Sequence, residues 1–220
     1  MKATTNNTRL LLTLGVLAGP LYVSVGIIEG LTRKGFSFVH HDLSMLANGN
    51  FGWVHSSLLM LTGLMTILTA VGMRRALREG PGSKWGPRLL ILYGIGLFLA
   101  GVFRADPAHG FPQGTPADAH AVSWHGGLHL LFGSIGFLGL ILACFAIARR
   151  FKVAKEKGWT LFSKFTGAFY LFSFIGIAVG SNASGATLGT VILLFSAAVV
   201  LGWAWIAAVS YKLAQESSAP

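Results

Sequence analysis

The sequence predicts an all-α protein: a six-transmembrane-helix bundle with a short interfacial helix in the first outer loop. Three observations predict it. Of 220 residues, 53% are hydrophobic and only 11% are charged, whereas soluble domains carry about 25% charged residues and need them to stay dispersed. Six apolar runs recur along the chain, each close to the roughly 17–25 residues that cross about 30 Å of hydrocarbon. Tryptophans mark the run ends, with Trp53 and Trp124 at one boundary and Trp85 and Trp159 at the other, as in the aromatic belts of membrane proteins. Backbone groups inside lipid must be satisfied within their own segment, so the runs are helices.

In order, the runs are 10–28, 54–73, 87–103, 124–148, 162–180 and 188–210. The first follows Lys2 and Arg9 and invites comparison with a signal peptide. It continues past Gly19-Pro20 without a small-x-small cleavage site, and is expected to be a retained helix kinked at the proline. The six leave no room for a soluble domain, so one membrane domain is expected over residues 1–220. The single cysteine, Cys144, lies inside the fourth run; an intrachain disulfide is excluded and packing is its expected role.

Charge sets the expected orientation. Fourteen of the seventeen Lys and Arg residues fall in the amino-terminal segment, the second and fourth connections and the tail. Short loops rich in Lys and Arg stay cytoplasmic, so both termini are expected inside a multi-pass protein of the inner (plasma) membrane. The net charge of +10 is then a topology signal with affinity for anionic lipid heads, not a nucleic-acid footprint. Membrane lipids are the expected partners; oligomeric state is not legible. All seven histidines (40, 41, 55, 109, 120, 125 and 129) fall at or beyond the predicted outer boundary. No Asp, Glu, Lys or Arg sits at the centre of a run, which argues against ion-coupled transport.

Two outer loops carry the remaining signals. In the first, Phe36, Val39, Leu43 and Leu46 recur at helical spacing. Ser37 can start a helix and Asn48-Gly49 can end it, with the greasy side inward and His40, His41, Ser44 and Asn48 on a polar flank. The second, 103–124, holds Pro107, Pro112, Pro116, Gly110 and Gly114, which forbid regular structure. A loop of this length is usually functional or disordered. Asp106 follows the third helix closely and precedes Pro107, so its position should be well set.

His125 and His129 open the fourth helix. Positions i and i+4 share a helix face, so the two imidazoles can grip one metal ion. The positive end of the helix dipole keeps them neutral and able to coordinate. Zinc needs a third ligand and usually a fourth, one of which can be water; His41, Asp106 and His55 are the outer-face candidates. The helix reads H-G-G-L-H, which lacks the built-in base of H-E-x-x-H, so Asp106 or Asp42 would supply it. Interfacial histidines that only hydrogen-bond explain the same pair without metal.

The stretches Glu29–Leu77, "GVFRADPAHGFPQGTP" and "WHGGLHLLFG" together resemble the family catalogued as domain of unknown function 998. The matching features are His41 and Ser44, Asp106-Pro107, Gly110, Pro112, His125-Gly126 and His129. The resemblance implies a bacterial-type membrane protein of about six helices and brings no established activity. A looser similarity of site chemistry is to membrane hydrolases of the ceramidase and progestin-receptor type, which combine a serine, an aspartate and an H-x-x-x-H pair around zinc. Two functions are therefore expected alternatives. One is a metal-dependent hydrolase of a lipid-like substrate, with His125, His129 and His41 on zinc and with Asp106 and Ser44 catalytic. The other is a non-catalytic protein that binds a lipid or partner through pH-sensitive histidines.

Overall fold

The computed structural model describes residues 2–119, 121–181 and 183–217, with side chains from residue 6 onward. His120 and Asn182 lie outside the described residues. Among the described residues six long helices form: α1 (Lys2–Thr32), α2 (Gly52–Ala76), α3 (Trp85–Val102), α4 (Trp124–Val153), α5 (Lys157–Gly180) and α6 (Gly185–Glu216). Each is long and apolar enough to cross a membrane. Among the described residues there is no strand, only an isolated bridge between Ala108 and Phe111. The helices outrun the predicted spans at several ends, because polar residues such as Thr32 and Lys212 continue the hydrogen-bond ladder beyond the hydrocarbon. α1 runs through Pro20 as one helix.

Sequential helices pack against one another, and α6 packs back on α1, so the six close into a ring. Neighbours are antiparallel. Gly72 of α2 lies against Leu11 of α1, Arg150 Nη1 donates to the Glu79 carbonyl at 2.8 Å, and Lys212 Nζ pairs with Glu156 at 2.8 Å. The basic residues thus gather at one end of the ring, the basic end. The loops 33–51 and 103–123 gather at the other, the site end.

The contacts are those of a protein whose outer surface meets lipid. Phe172 (72% exposed) and Val179 (81%) point outward, where water would penalise them and acyl chains do not. Inside, α2 carries Thr62, Thr66 and Thr69, all fully buried. Each donates its hydroxyl to the carbonyl four residues earlier, at 2.7, 2.7 and 2.8 Å, so these three hydroxyls are satisfied within their own helix. Backbones touch where glycines meet. A Cβ on Gly96 would stand 2.6 Å from the Gly136 Cα, and one on Gly63 would stand 2.7 Å from the Gly94 carbonyl oxygen. These crossings lock α3 to α4 and α2 to α3.

The first loop differs from expectation. In place of a helix from Ser37 to Asn48 there is a turn at 38–40 and then a 3-10 helix, Leu43–Ala47. Asp42 between them is extended (φ −71°, ψ 157°), which interrupts helical continuity. Nor do His41 and Asn48 form a wet flank, since both are buried. The reason is tertiary. The second loop folds over the first, and Phe111 joins Met45 and Leu46 in a small apolar core of their own. Arg33 lies over the Phe111 ring at 5.5 Å and donates to the carbonyls of Leu46 and Asn48. The two loops are therefore an ordered cap on the ring.

Candidate functional site

The ring and its cap enclose a cavity of about 390 Å³ to which all six helices contribute. Its floor is aromatic. Tyr22 and Trp203 pack with ring centres 5.2 Å apart, and Tyr93 meets Trp203 at 5.8 Å. Phe137, Phe174 and Phe195 build one wall. Between the site ends of α4 and α5 the packing opens. A Cβ on Gly133, which lines the cavity, would meet nothing nearer than the Phe137 ring at 4.0 Å. Leu130 and Ala178 line this gap from the two helices and are exposed. The cavity thus communicates sideways with the outer surface of the bundle.

The polar groups at the cap side of this cavity include Asp42, Ser44, His129 and, just beyond the end of α5, Ser181. Asp42 and Ser44 flank Leu43 at the start of the 3-10 helix, and the Ser44 hydroxyl donates to Asp42 Oδ1 at 2.5 Å. His129 comes from the second turn of α4 and is buried. Its Nδ1 sits 3.0 Å from the Ala100 carbonyl and 2.9 Å from that of Phe103. Carbonyls only accept, so Nδ1 carries the hydrogen and, in the neutral ring, Nε2 carries the lone pair. His129 thereby satisfies carbonyls at the end of α3 that have no partner within the helix.

The other predicted residues are placed elsewhere. His125 is exposed and lies against Trp124, so the two members of the H-x-x-x-H pair face different surroundings, one outward and one into the bundle. His41 is buried with both ring nitrogens engaged: the Ser37 backbone N–H donates to Nδ1 at 2.9 Å, and Nε2–H donates to the His109 carbonyl at 2.9 Å. Burial holds the His41 imidazole below its usual pKa of 6.5. Asp106 accepts from the Ser123 backbone N–H at 2.7 Å and from its hydroxyl at 2.6 Å. Ser123 in turn caps α4 by accepting from the Gly126 N–H at 3.1 Å. A side chain on Gly126 would run into the Asp106 carboxylate. Asp106 is thus placed at the start of α4, where the helix dipole and the unpaired N–H groups favour a negative charge. Ser44 and His129 share the cavity; His125 and Asp106 do not line it. Among the described residues, no three His, Cys, Asp or Glu side chains are gathered as a metal ion would require.

One buried pair was not anticipated. Glu29, in the last turns of α1, accepts from His55 Nδ1 of α2 at 2.8 Å. His55 is fully buried and its Nε2 has no partner. Its ring packs against that of Tyr22, with centres 5.9 Å apart, so the pair adjoins one of the rings that line the cavity. The available signal was an acid at the end of one apolar run and a histidine at the start of the next, which an antiparallel helix pair brings to the same depth.

A closed ring of six membrane-length helices around an amphipathic cavity defines a multi-pass membrane protein with an internal ligand-sized space. The family model described as "Protein of unknown function (DUF998)" matches residues 16–212, and the chain belongs to that family. Neither a curated protein nor a solved structure matches it.

Proposed function

We propose that this protein is a non-catalytic receptor or carrier that holds one lipid-like amphiphile in the central cavity. The cavity itself carries this reading: a space of about 390 Å³, within the roughly 300–1,000 Å³ of ligand sites, with aromatic walls, a polar patch at one end and a side opening between α4 and α5. An acyl chain suits the walls and a polar head suits Asp42, Ser44 and His129. Metal-dependent hydrolysis draws less support. It would need His125 and His41 to leave their present contacts and join His129. It would also need Asp106 to leave the start of α4. Metal content measured on purified protein and on His129→Ala keeps that reading testable.

The charge distribution supports an orientation with the basic end cytoplasmic and the cavity mouth extracytoplasmic in the inner membrane. A reporter fused after the last residue is then expected to be active only in its cytoplasmic form.

Lipid extraction from purified protein tests the central reading. Wild type is expected to carry an amphiphile at near one per chain. Gly133→Phe fills open space rather than packed space and should leave the melting temperature unchanged while losing the amphiphile. Equal lipid content in wild type and this variant would overturn the reading.

A further inference from the structure

We infer that the head of the bound amphiphile is a hydrogen-bond-donating cation, a primary ammonium, and not a phosphate or carboxylate. The inference rests on the cavity reading above and adds the chemistry of its polar end. Among the described residues that line the cavity, Asp42 is the one charged side chain, and no Lys or Arg joins it. The Ser44 proton is already committed to Asp42 Oδ1, so the Ser44 oxygen faces a ligand as an acceptor. The His129 proton is committed to the two α3 carbonyls, so its remaining nitrogen is an acceptor in the neutral ring. Three groups from two distant segments thus present lone pairs beside one negative charge. The Arg33 guanidinium of the same cap does not line the cavity and is engaged elsewhere. It is bonded to the Leu46 and Asn48 carbonyls and lies 3.9 Å from Glu29.

An ammonium head offers three donors and a positive charge, which matches three acceptor groups, one of them the Asp42 carboxylate. An anionic head would set a second negative charge against Asp42 in a space walled by aromatic rings, where an unpaired charge is costly. The hydroxyl residues Tyr22, Tyr93, Ser134, Ser181 and Ser196 also line the cavity. They both donate and accept, so they discriminate little between heads. Trp203 Nε1 is a donor without a partner, but it belongs to the floor, among rings that suit a chain.

The test uses the full chain in phosphatidylcholine nanodiscs and a photoactivatable diazirine-bearing alkylamine, with the labelled residues read by peptide mass spectrometry. Dodecylamine, dodecanol, dodecanoate and dodecyl phosphate compete at matched membrane-bound concentrations. Label is expected on cavity residues, displaced by dodecylamine at about tenfold lower concentration than by dodecanoate or dodecyl phosphate, a gap that one lost charge pair can account for. Asp42→Asn should close the gap to within about twofold, while Ser44→Ala, which keeps the carboxylate, should preserve it. Equal competition by amine and carboxylate in wild type, or a preference that survives Asp42→Asn, overturns the assignment of the head. Label that avoids the cavity in wild type, or that Gly133→Phe does not reduce, overturns the cavity reading itself.

Discussion

Asp106, His41 and Glu29 show how single polar residues are kept at the end of an apolar bundle. Asp106 accepts two hydrogen bonds from the residue that caps α4, and charge-assisted bonds of this kind contribute about 1.5–3 kcal/mol each to stability at most. Asp106→Ala is therefore expected to lower unfolding free energy by about 1–3 kcal/mol, measured by denaturant titration in detergent, with the amphiphile still bound. His41 makes the stability pH-dependent. Burial, aided by His109 and His40, holds its pKa below 6.5 against the opposing pull of the His109 carbonyl and Asp42. The unfolded chain takes up a proton as pH falls through 6.5 and the folded chain does not, so stability that is complete above pH 6.5 declines below it and levels off once folded His41 titrates. Melting temperature measured from pH 7.5 downward should show this decline, and His41→Gln should remove its share of the slope. Removing Glu29 leaves His55 buried with neither nitrogen bonded. Glu29→Ala is expected to cost at least about 1–3 kcal/mol, and a melting temperature unchanged from wild type would contradict the pairing. His129 and Ser44 stand out in the sequence as polar residues at a helix mouth and in the adjoining loop, and both line the cavity. The α3 carbonyls that hold His129 were not legible, since they reach it only through the fold, whereas Asp42 is Ser44's neighbour two residues back.

Among the helices, glycine placement decides which faces can touch. Gly96 and Gly136 bring α3 and α4 into backbone contact, with no volume left for a methyl group. Gly96→Leu is expected to separate the two helices and cost about 3 kcal/mol or more, read as loss of the folded band on thermal titration. Gly133, on α4 with Gly136, opens onto the cavity, and Gly133→Ala should change stability by less than about 0.5 kcal/mol. Both glycines sit in one apolar stretch, and nothing in their spacing separates the lock from the open wall. Small-xxx-small spacing does not separate them either: Gly15 and Gly19 meet Ser210, Thr69 and Trp203, whereas in the pair Gly176/Gly180 the second is tight against Val191 at 3.0 Å and the first is open, with Val191 at 4.0 Å. The six helices themselves were legible, because their lengths follow from the thickness of hydrocarbon. The helix expected in the first loop was not realised as drawn. Its spacing was helical, but Phe111, far along the chain in the second loop, claimed its apolar side chains.

At the scale of the molecule, the chain alone determined that there would be six membrane-length helices with the basic residues at one end. Those properties depend on how much apolar length and charge each segment carries, and both are additive along the sequence. Only the tertiary structure decided that the ring closes α6 on α1, that a cavity remains inside it, and that His129 turns into that cavity while His125, four residues away, turns out. Such outcomes depend on where distant surfaces touch. A helical period places two residues on one face but does not say where that face ends. Here α3 and the cap cover His129 and leave His125 outside.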